Sequence, residues 1–426
     1  MEHDPQVRRS GMGNATEAAV CVIGAGPVGG TLACRIAAAG IPTAVIDRAA
    51  LPPMEHPAFD GRAYAIAAGS LRLLEAAGLW DRLSDGACPI LDIRVSDGRL
   101  GCPASRLSLH FDHREAGADA GPFGMMVEAR ALRVAINAHF RALPSLSVFA
   151  PAEAVAERTP EGAVVRVAGG PAIRCQLVVA AEGRNSPLRE AAGIPVTHMP
   201  YDQIGIVSAI AHERPHHNAA LEHFLPAGPF AQLPMASSPD AEAGGAPNLS
   251  AIVWTERAGT ARRMLALDDP GFAREIRRRL GDHLGWVRPV GRRWSYQLSA
   301  MLAHRYADTR LALAGDAAHG IHPIAGQGLN LGFRDAIALS ELLIAAHKAG
   351  GDLGAPGLLA RYQRRRRPDN LMMLAATDAL DRLFSNDNRL LRLTRDIGIA
   401  AVHRAPPLKR VFMRQAMGLG VLPGLG

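Results

Sequence analysis

The sequence predicts an α/β fold: a discontinuous parallel-sheet domain, an antiparallel sheet set into it, and a helical C-terminal tail. Three observations carry that prediction. Residues 18–48 read as apolar strand, glycine turn, small-residue helix and second apolar strand, the pattern of a buried parallel sheet. Residues 86–123 and 200–260 alternate apolar and polar side chains and break at Gly- and Asp-rich turns, as antiparallel strands do. Apolar strands then return in "CQLVVA" and "LALAG", and from Leu329 the periodicity is helical almost to the end. These patterns assign 18–85, 124–195 and 296–345 to the parallel domain, 86–123 and 196–295 to the antiparallel domain, and 346–426 to the helical region.

Each element has a local reason. "AAVCVIG" is a short apolar run ending in glycine, "GPVGGTLACRIAAAG" has helical spacing and stops at Gly40, and "IPTAVIDR" is the second buried strand. "LDIRVSDGRLG" and "RLSLHFDH" alternate, "VEARALRVAINAHFRAL" has helical period, and residues 146–183 read as three or four strands. The polar insert "ASSPDAEAGGAPN" has no period and reads as a surface loop.

Composition sets the outer limits. A chain of 426 residues has room for two packed units. An aromatic content of 5% argues against a carbohydrate groove or a base-stacking platform. Five cysteines, none in a CxxC, point to a reducing compartment without a disulfide framework. The N-terminal stretch has early acids and no apolar core, so it reads as a disordered leader and not as a secretory signal. No long apolar window free of charges and breaks predicts a membrane span. The net charge of +7 is uneven: residues 361–426 hold thirteen Lys and Arg against five Asp, a surplus of eight, so the rest is near neutral. A basic tail on a neutral body suits an acidic surface, either anionic lipid or nucleic acid.

Three stations carry chemistry. Gly24-Ala25-Gly26-Pro27-Val28-Gly29 lies between the first strand and helix. Gly24 permits a tight turn, Gly26 lets a pyrophosphate approach the backbone at the helix N-terminus, and Gly29 allows close helix–strand packing. Asp47 ends the second strand, where an acid accepts both hydroxyls of an adenosine ribose. This station predicts a dinucleotide without separating NAD from FAD.

The second station, "GDAAHGIHPIAGQGLN", separates them. Asp316, which looks buried, suits a ribityl hydroxyl or an N-cap. Gly326, Gln327 and Gly328 expose successive N–H groups at the start of a helix over 329–345, as an anionic reduced flavin ring needs. His319 and His322 lack a third ligand at suitable spacing, so no metal is predicted; they read as hydrogen-bonding to the loop or the flavin. "HERPHH", with His212, His216 and His217, reads as a polar turn.

The third station is "AAEGRNSPLRE" after "CQLVVA". Glu182, Gly183 and Arg189 either touch a pyrophosphate or an incoming nicotinamide cofactor, or belong to a helix N-terminus capped by Asn185 or Ser186 with Arg189 solvated.

Together the stations resemble the three fingerprints of the class A flavoprotein aromatic monooxygenases. Within that class, "DGRAYAIAAGS", "EHFLPAGPFAQLPM", "HPIAGQGLNLG" and "PPLKRVFMRQAMGL" resemble the ubiquinone-biosynthesis hydroxylases, over roughly 18–420. The second fingerprint of that class carries Asp where this chain has Glu182. The fold implied is a discontinuous Rossmann-like FAD-binding domain with an antiparallel β-sheet substrate domain and the helical tail.

The resemblance implies that Gly24, Gly26, Gly29 and Asp47 hold the ADP half of FAD. It implies that Arg62 and Arg130 reach its pyrophosphate or ribityl, that Asp316 holds the ribityl, that Gly328, Leu329 and Asn330 lie along the isoalloxazine, and that Gly326 also binds the cofactor. His322, Pro323 and Gln327 are then flavin-proximal candidates for catalysis, and the strand region around Phe224–Leu233 is a candidate for the substrate face.

The reaction implied uses NAD(P)H and O2 through a flavin C4a-hydroperoxide to hydroxylate a polyprenylated phenol. A bilayer-resident substrate gives the basic tail a use, and the expected location is the inner face of the cytoplasmic membrane, held peripherally beside other ubiquinone-biosynthesis enzymes. The competing reading of the tail is a solvated face with homodimer contacts; no nucleic-acid module is recognised.

Overall fold

The structure is a computed structural model that describes residues 16–51, 60–98, 100–101, 108–116, 121–237, 248–321, 326–384, 409–410, 413–414 and 417–418. Most of the polar insert and most of residues 385–426 lie outside the described residues. In chain order, β1 (Thr16–Glu17) and β2 (Val20–Ile23) lead through the glycine turn into α1 (Pro27–Ala38) and β3 (Thr43–Ile46). Next come β4 (Ala63–Ala67), α2 (Ala68–Ala76), β5 (Cys88–Ile90), β6 (Asp92–Asp97), β7 (Ser108–Asp112), β8 (Gly124–Glu128) and α3 (Ala129–Ala142). β9 (Leu146–Phe149), β10 (Ala154–Thr159), β11 (Gly162–Val167), β12 (Ala172–Cys175), β13 (Leu177–Ala180) and α4 (Pro187–Ala191) follow. The second half holds β14 (Val196–His212), β15 (Ala219–Leu225), β16 (Gly228–Met235), β17 (Leu249–Arg257), α5 (Ala258–Leu265) and α6 (Asp269–Leu280). β18 (Val287–Ala303), β19 (Ala307–Asp308), β20 (Leu311–Leu313), β21 (His319–Gly320), α7 (Gln327–Lys348) and α8 (Pro356–Phe384) complete it.

The six-stranded sheet β19-β20-β13-β2-β3-β9 is parallel except at β19. Its central strands VCVI, TAVI and LVVA are buried along their whole length, as continuous apolar runs covered on both faces must be. α1 packs against both α3 and α7. A smaller sheet, β1-β12-β11-β10, flanks it.

The eight-stranded sheet β21-β18-β14-β17-β16-β15-β6-β7 is antiparallel except for β15 beside β6. One face buries Ile206, Phe230, Ile252 and Trp254 under Phe272 and Ile276 of α6. The other buries Ala209, Ala211, Ala220 and Ala251 against Cys88, Ile90 and Met126, with Met413 and Met417.

Several boundaries differ from the sequence reading. β5 pairs with β8, not with the large sheet, so residues on both sides of the predicted boundary at 123 form the sheet β4-β8-β5. β18 runs unbroken across residue 296 because its register with β14 continues on both sides. α6 starts where Asp268 accepts a hydrogen bond from Gly271 N at 2.9 Å with Pro270 in the first turn, a start signal within the predicted antiparallel domain. α7 begins at Gln327, two residues before the predicted start.

Candidate active site

A cavity of about 1260 Å³ lies between the carboxyl ends of β2, β3, β13 and β20 and one face of the eight-stranded sheet. This is where an open parallel sheet binds ligands. Three glycines shape its floor by three different means. Gly24 has φ 106°, and a Cβ there would stand 2.3 Å from Ala181 O. At Gly29 a Cβ would stand 2.1 Å from Gly24 O, so that glycine sets how closely α1 meets its turn. A Cβ at Gly26 would meet no protein atom within 4 Å; Gly26 faces the cavity at the N-cap of α1. Asp47 lines the cavity at the end of β3, with Oδ2 accepting from Ala25 N at 2.7 Å and Oδ1 from Ala49 N at 2.8 Å.

The arginines on the wall are Arg48, Arg133 and Arg184, not the two named from sequence. The guanidinium of Arg62 pairs with Asp60 at 2.6 Å and lies over the Trp294 ring at 4.1 Å. Arg130 stands 3.8 Å from Glu128, and Arg133, three residues on along α3, faces the cavity instead. Arg184 lies in the third station, "AAEGRNSPLRE", two residues after Glu182.

Asp316 lines the cavity but is half exposed, not buried. It pairs with Arg184 Nε at 3.2 Å, while Arg184 Nη1 donates to Ser299 O at 2.9 Å and Ser299 Oγ at 3.0 Å. The buried aspartate is Asp335 on α7. Its Oδ2 accepts from Gly315 N at 3.0 Å and meets His319 Nε2 at 2.6 Å; its Oδ1 accepts from Arg366 Nε at 2.8 Å and Asn370 Nδ2 at 3.3 Å. Burial would raise this carboxyl, but the charges and hydrogen bonds of His319 and Arg366 outweigh it and hold the pKa at about 2. His319 therefore belongs to a buried network, stacked on Tyr306, and not to the loop or a flavin. His322 and Pro323 lie outside the described residues.

α7 opens on Gly326, whose φ of 62° suits glycine, and Gly326, Gly328 and Leu329 line the cavity. A Cβ at Gly328 would meet nothing within 4 Å. The first turn carries no acid, so the positive end of the helix faces the cavity uncompensated. Gln327 is its first helical residue. Asn330 turns inward: its Oδ1 accepts from Ala67 N at 2.8 Å and Ser70 Oγ at 2.9 Å, and its Nδ2 donates to Ala65 O at 2.8 Å. It fastens β4 and α2 to α7 instead of lying along a ring.

At the third station Glu182 and Gly183 line the cavity. Glu182 accepts from Ser186 Oγ at 2.5 Å and Leu188 N at 3.3 Å; burial raises its pKa against the pull of those bonds. Ser186 caps α4 by accepting from Arg189 N at 3.2 Å. Arg189 is neither solvated nor at the cavity. It is buried and donates to Arg184 O at 2.8 Å and Ala317 O at 3.1 Å, bracing the turns after β13 and β20.

A family model described as an FAD binding domain matches residues 17–377. The chain is 50% identical over 400 residues to the ubiquinone hydroxylase UbiL of Rhodospirillum rubrum, covering 94% of this chain and 89% of that one. It is 32% identical over 405 residues to the 3-demethoxyubiquinol 3-hydroxylase of Escherichia coli, covering 94% and 98%. The chain belongs to the FAD-dependent aromatic monooxygenases. The fold agrees: p-nitrophenol 4-monooxygenase PnpA from Pseudomonas putida superposes with a TM-score of 0.75 over 95% of this chain and 99% of that one, at 19% identity.

FAD fits the cavity of this monooxygenase on its own terms. Gly26 and Gly328 present bare backbone where a side chain would project into open space, at the N-termini of α1 and α7. Arg48, Arg133 and Arg184 supply positive charge along the same wall. As in the class at large, NAD(P)H and O2 are its co-substrates. Among the described residues no cluster of three or more His, Cys, Asp or Glu is arranged to hold a metal.

Proposed function

We propose that this monooxygenase hydroxylates the aromatic ring of a polyprenylated phenol in ubiquinone biosynthesis. The observation that carries the reading is the 50% identity to a ubiquinone hydroxylase across 94% of the chain. We infer that Gly24, Gly26 and Asp47 hold the ADP half of FAD, with Gly29 keeping the turn closed. Asp316 holds the ribityl, and the N–H groups after Gly326 stabilise negative charge on the ring. FAD, when bound, supplies the chemistry that activates oxygen. The protein's own part is to hold the phenol against the ring and keep water out, and the apolar face with Val207, Leu233 and Val253 suits both. Glu182 and Gly183 are our candidates for the approach of NAD(P)H.

The substrate class also supports a membrane-surface location. Its prenyl chain partitions into the bilayer, and the surplus of positive charge over 361–426 suits anionic lipid on the inner face. No helix among the described residues is long and apolar enough to cross a membrane. The test is mass spectrometry of the quinone pool in a strain lacking this gene. Build-up of a prenylated phenol one oxygen short supports the assignment and names the carbon. An unchanged pool argues against it.

A further inference from the structure

We propose that the C-terminal stretch carrying Lys409, Met413, Met417 and Gly418 is a strap that positions the substrate wall of the cavity, and that hydroxylation stays coupled to NAD(P)H oxidation only while the strap is seated. The four residues come from "PPLKRVFMRQAMGL", 406–419. None of them lines the cavity; they act through residues that do. Met413 and Met417, 1% and 6% exposed, are buried in the apolar cluster between the eight-stranded sheet and the sheet β4-β8-β5. Ala63, Ala65 and Leu233 pack against that same cluster, and all three line the cavity. Methionine is an unbranched, adaptable filler, suited to backing a wall of small residues.

Two anchors seat the strap. At one end Lys409, a residue type that is buried only when paired, meets Glu115 at 2.6 Å, and its ammonium lies 5.7 Å from the centre of the Phe111 ring. Phe111 belongs to the cluster of the two methionines. At the other end Met417 N donates to Met413 O at 2.9 Å, one helical turn, and Gly418 ends that turn at φ 72°. Met417 O then accepts from Gly69 N at 2.8 Å. That bond falls on the N-terminus of α2, which has no side-chain cap of its own. Its first N–H groups go to three other parts of the chain: Ala67 N to Asn330 of α7, Ala68 N to Phe123 O, and Gly69 N to the strap. β4, whose Ala63, Tyr64 and Ala65 line the cavity, runs straight into this junction. The strap therefore holds both the start of α2 and the cluster that backs Leu233.

Gly69 keeps room for the strap. A Cβ there would stand 2.6 Å from Gly418 O, 3.0 Å from Gly418 C and 3.2 Å from Met417 O, so its three nearest neighbours are all strap backbone. Alanine at this position collides with the strap, yet it is the better helix former for α2 itself. The consequence for the reaction follows from the electron balance. In a coupled turnover NAD(P)H gives up two electrons, one atom of O2 enters the ring, and the other leaves as water. When the ring is not held in reach, or water enters past a loosened wall, the same two electrons leave in hydrogen peroxide and the ring is unchanged.

The strap rests on this geometry; only the turnover arm of its test rests on the reading above that the substrate is a prenylated phenol. The test compares FAD-loaded full-length wild type with Gly69→Ala, and with Gly259→Ala as a control at the same position of α5, where a Cβ meets nothing within 4 Å. Seating is read without substrate, from sulfoxide formation at Met413 and Met417 in dilute peroxide and from iodide quenching of the flavin. Both should rise in Gly69→Ala and match wild type in Gly259→Ala. With a short-chain prenylated phenol, Gly69→Ala should hydroxylate about 10²-fold more slowly, with a higher KM and peroxide replacing product, while FAD affinity stays at the wild-type value. Lys409→Met should move every readout in the same direction, and Lys409→Arg, which keeps the ion pair, should hold them near wild type. A Gly69→Ala protein with exposed methionines but wild-type product per NAD(P)H overturns the strap's role. So do methionines that stay protected, and so does an FAD affinity that falls in step with product, the mark of a merely structural effect. A wild type that hydroxylates no prenylated phenol overturns the phenol reading alone; the strap then stands or falls on methionine protection and iodide quenching.

Discussion

At the scale of single residues, the two glycines flanking the turn into α1 make opposite predictions. Gly26 has extended backbone, φ −63° and ψ 178°, and room for a Cβ; what the Cβ would fill is the path of the ligand. Gly26→Ala should leave the melting temperature of the FAD-free protein at the wild-type value while FAD affinity falls, as titration of the apoprotein would report. Gly29→Ala puts a Cβ 2.1 Å from Gly24 O and should lower the melting temperature of the apoprotein as well. Equal apoprotein stabilities would mean that the turn tolerates what the geometry forbids. Glu222 makes a prediction about pH. Its folded pKa of about 7 lies above the ordinary value of 4.5. Between those values the folded chain keeps a proton that the unfolded chain has lost, so stability falls as pH rises through that window. Glu222→Gln removes the penalty. Its urea midpoint should match wild type near pH 4 and exceed it at pH 8; an offset independent of pH would count against desolvation of this carboxyl as the cause.

At the scale of elements, one carboxylate joins three pieces of structure. Asp335 of α7 holds the turn at Gly315, the strand residue His319 and Arg366 of α8. Removing a single member of a buried ion pair leaves the other charge unpaired, at a cost of about 3–5 kcal/mol. Asp335→Asn should therefore lose stability of that order by urea denaturation. Because Gly315 precedes Asp316, it should also weaken FAD binding although Asp335 does not line the cavity; unchanged FAD affinity would mean that the turn holds without its anchor. This element-level bracing is what the sequence concealed. The strand–glycine–helix–strand unit at 18–48 was legible because its residues are neighbours and its signals are local. Asn330, Arg189 and His319 were misread because each has a partner that only the fold supplies: Asn330 bonds Ala67 N 263 positions away, and Arg189 bonds Ala317 O 128 away. A polar residue inside a glycine-rich fingerprint looks like a ligand contact until its distant partner is known. The Arg130 assignment missed by one helical turn, since Arg133 on the same helix is the residue at the cavity.

At the scale of the whole molecule, the described arginines of the run at 361–367 fall into paired and exposed groups. Arg366 is buried against Asp335 and Asp369, and Arg365 pairs with Glu341, so part of the run "RRRR" holds α8 to α7. Arg361 and Arg364 remain exposed on α8. Further along, Leu371 and Met372 are 45% and 49% exposed, large apolar groups beside cations on one outward surface. Charge counting from sequence could not make this division, because it depends on which arginines find carboxylates on other helices. An outward face combining cations with apolar residues is the arrangement expected of a helix that lies on an anionic bilayer. Each surface cation contributes about 1 kcal/mol to such binding, so Arg361→Gln with Arg364→Gln should weaken it by about thirtyfold. Sedimentation with phosphatidylcholine vesicles, with and without phosphatidylglycerol, measures this directly. Wild type should pellet only with the anionic vesicles and be released by salt, and Leu371→Asn with Met372→Asn should reduce binding that salt does not disrupt. Both double variants should keep wild-type turnover on a short-chain phenol in solution, because neither residue pair lines the cavity, and should lose turnover on a long-chain phenol presented in vesicles. Equal pelleting with neutral and anionic vesicles would remove the basic face from the account and leave substrate delivery to some other surface of the molecule.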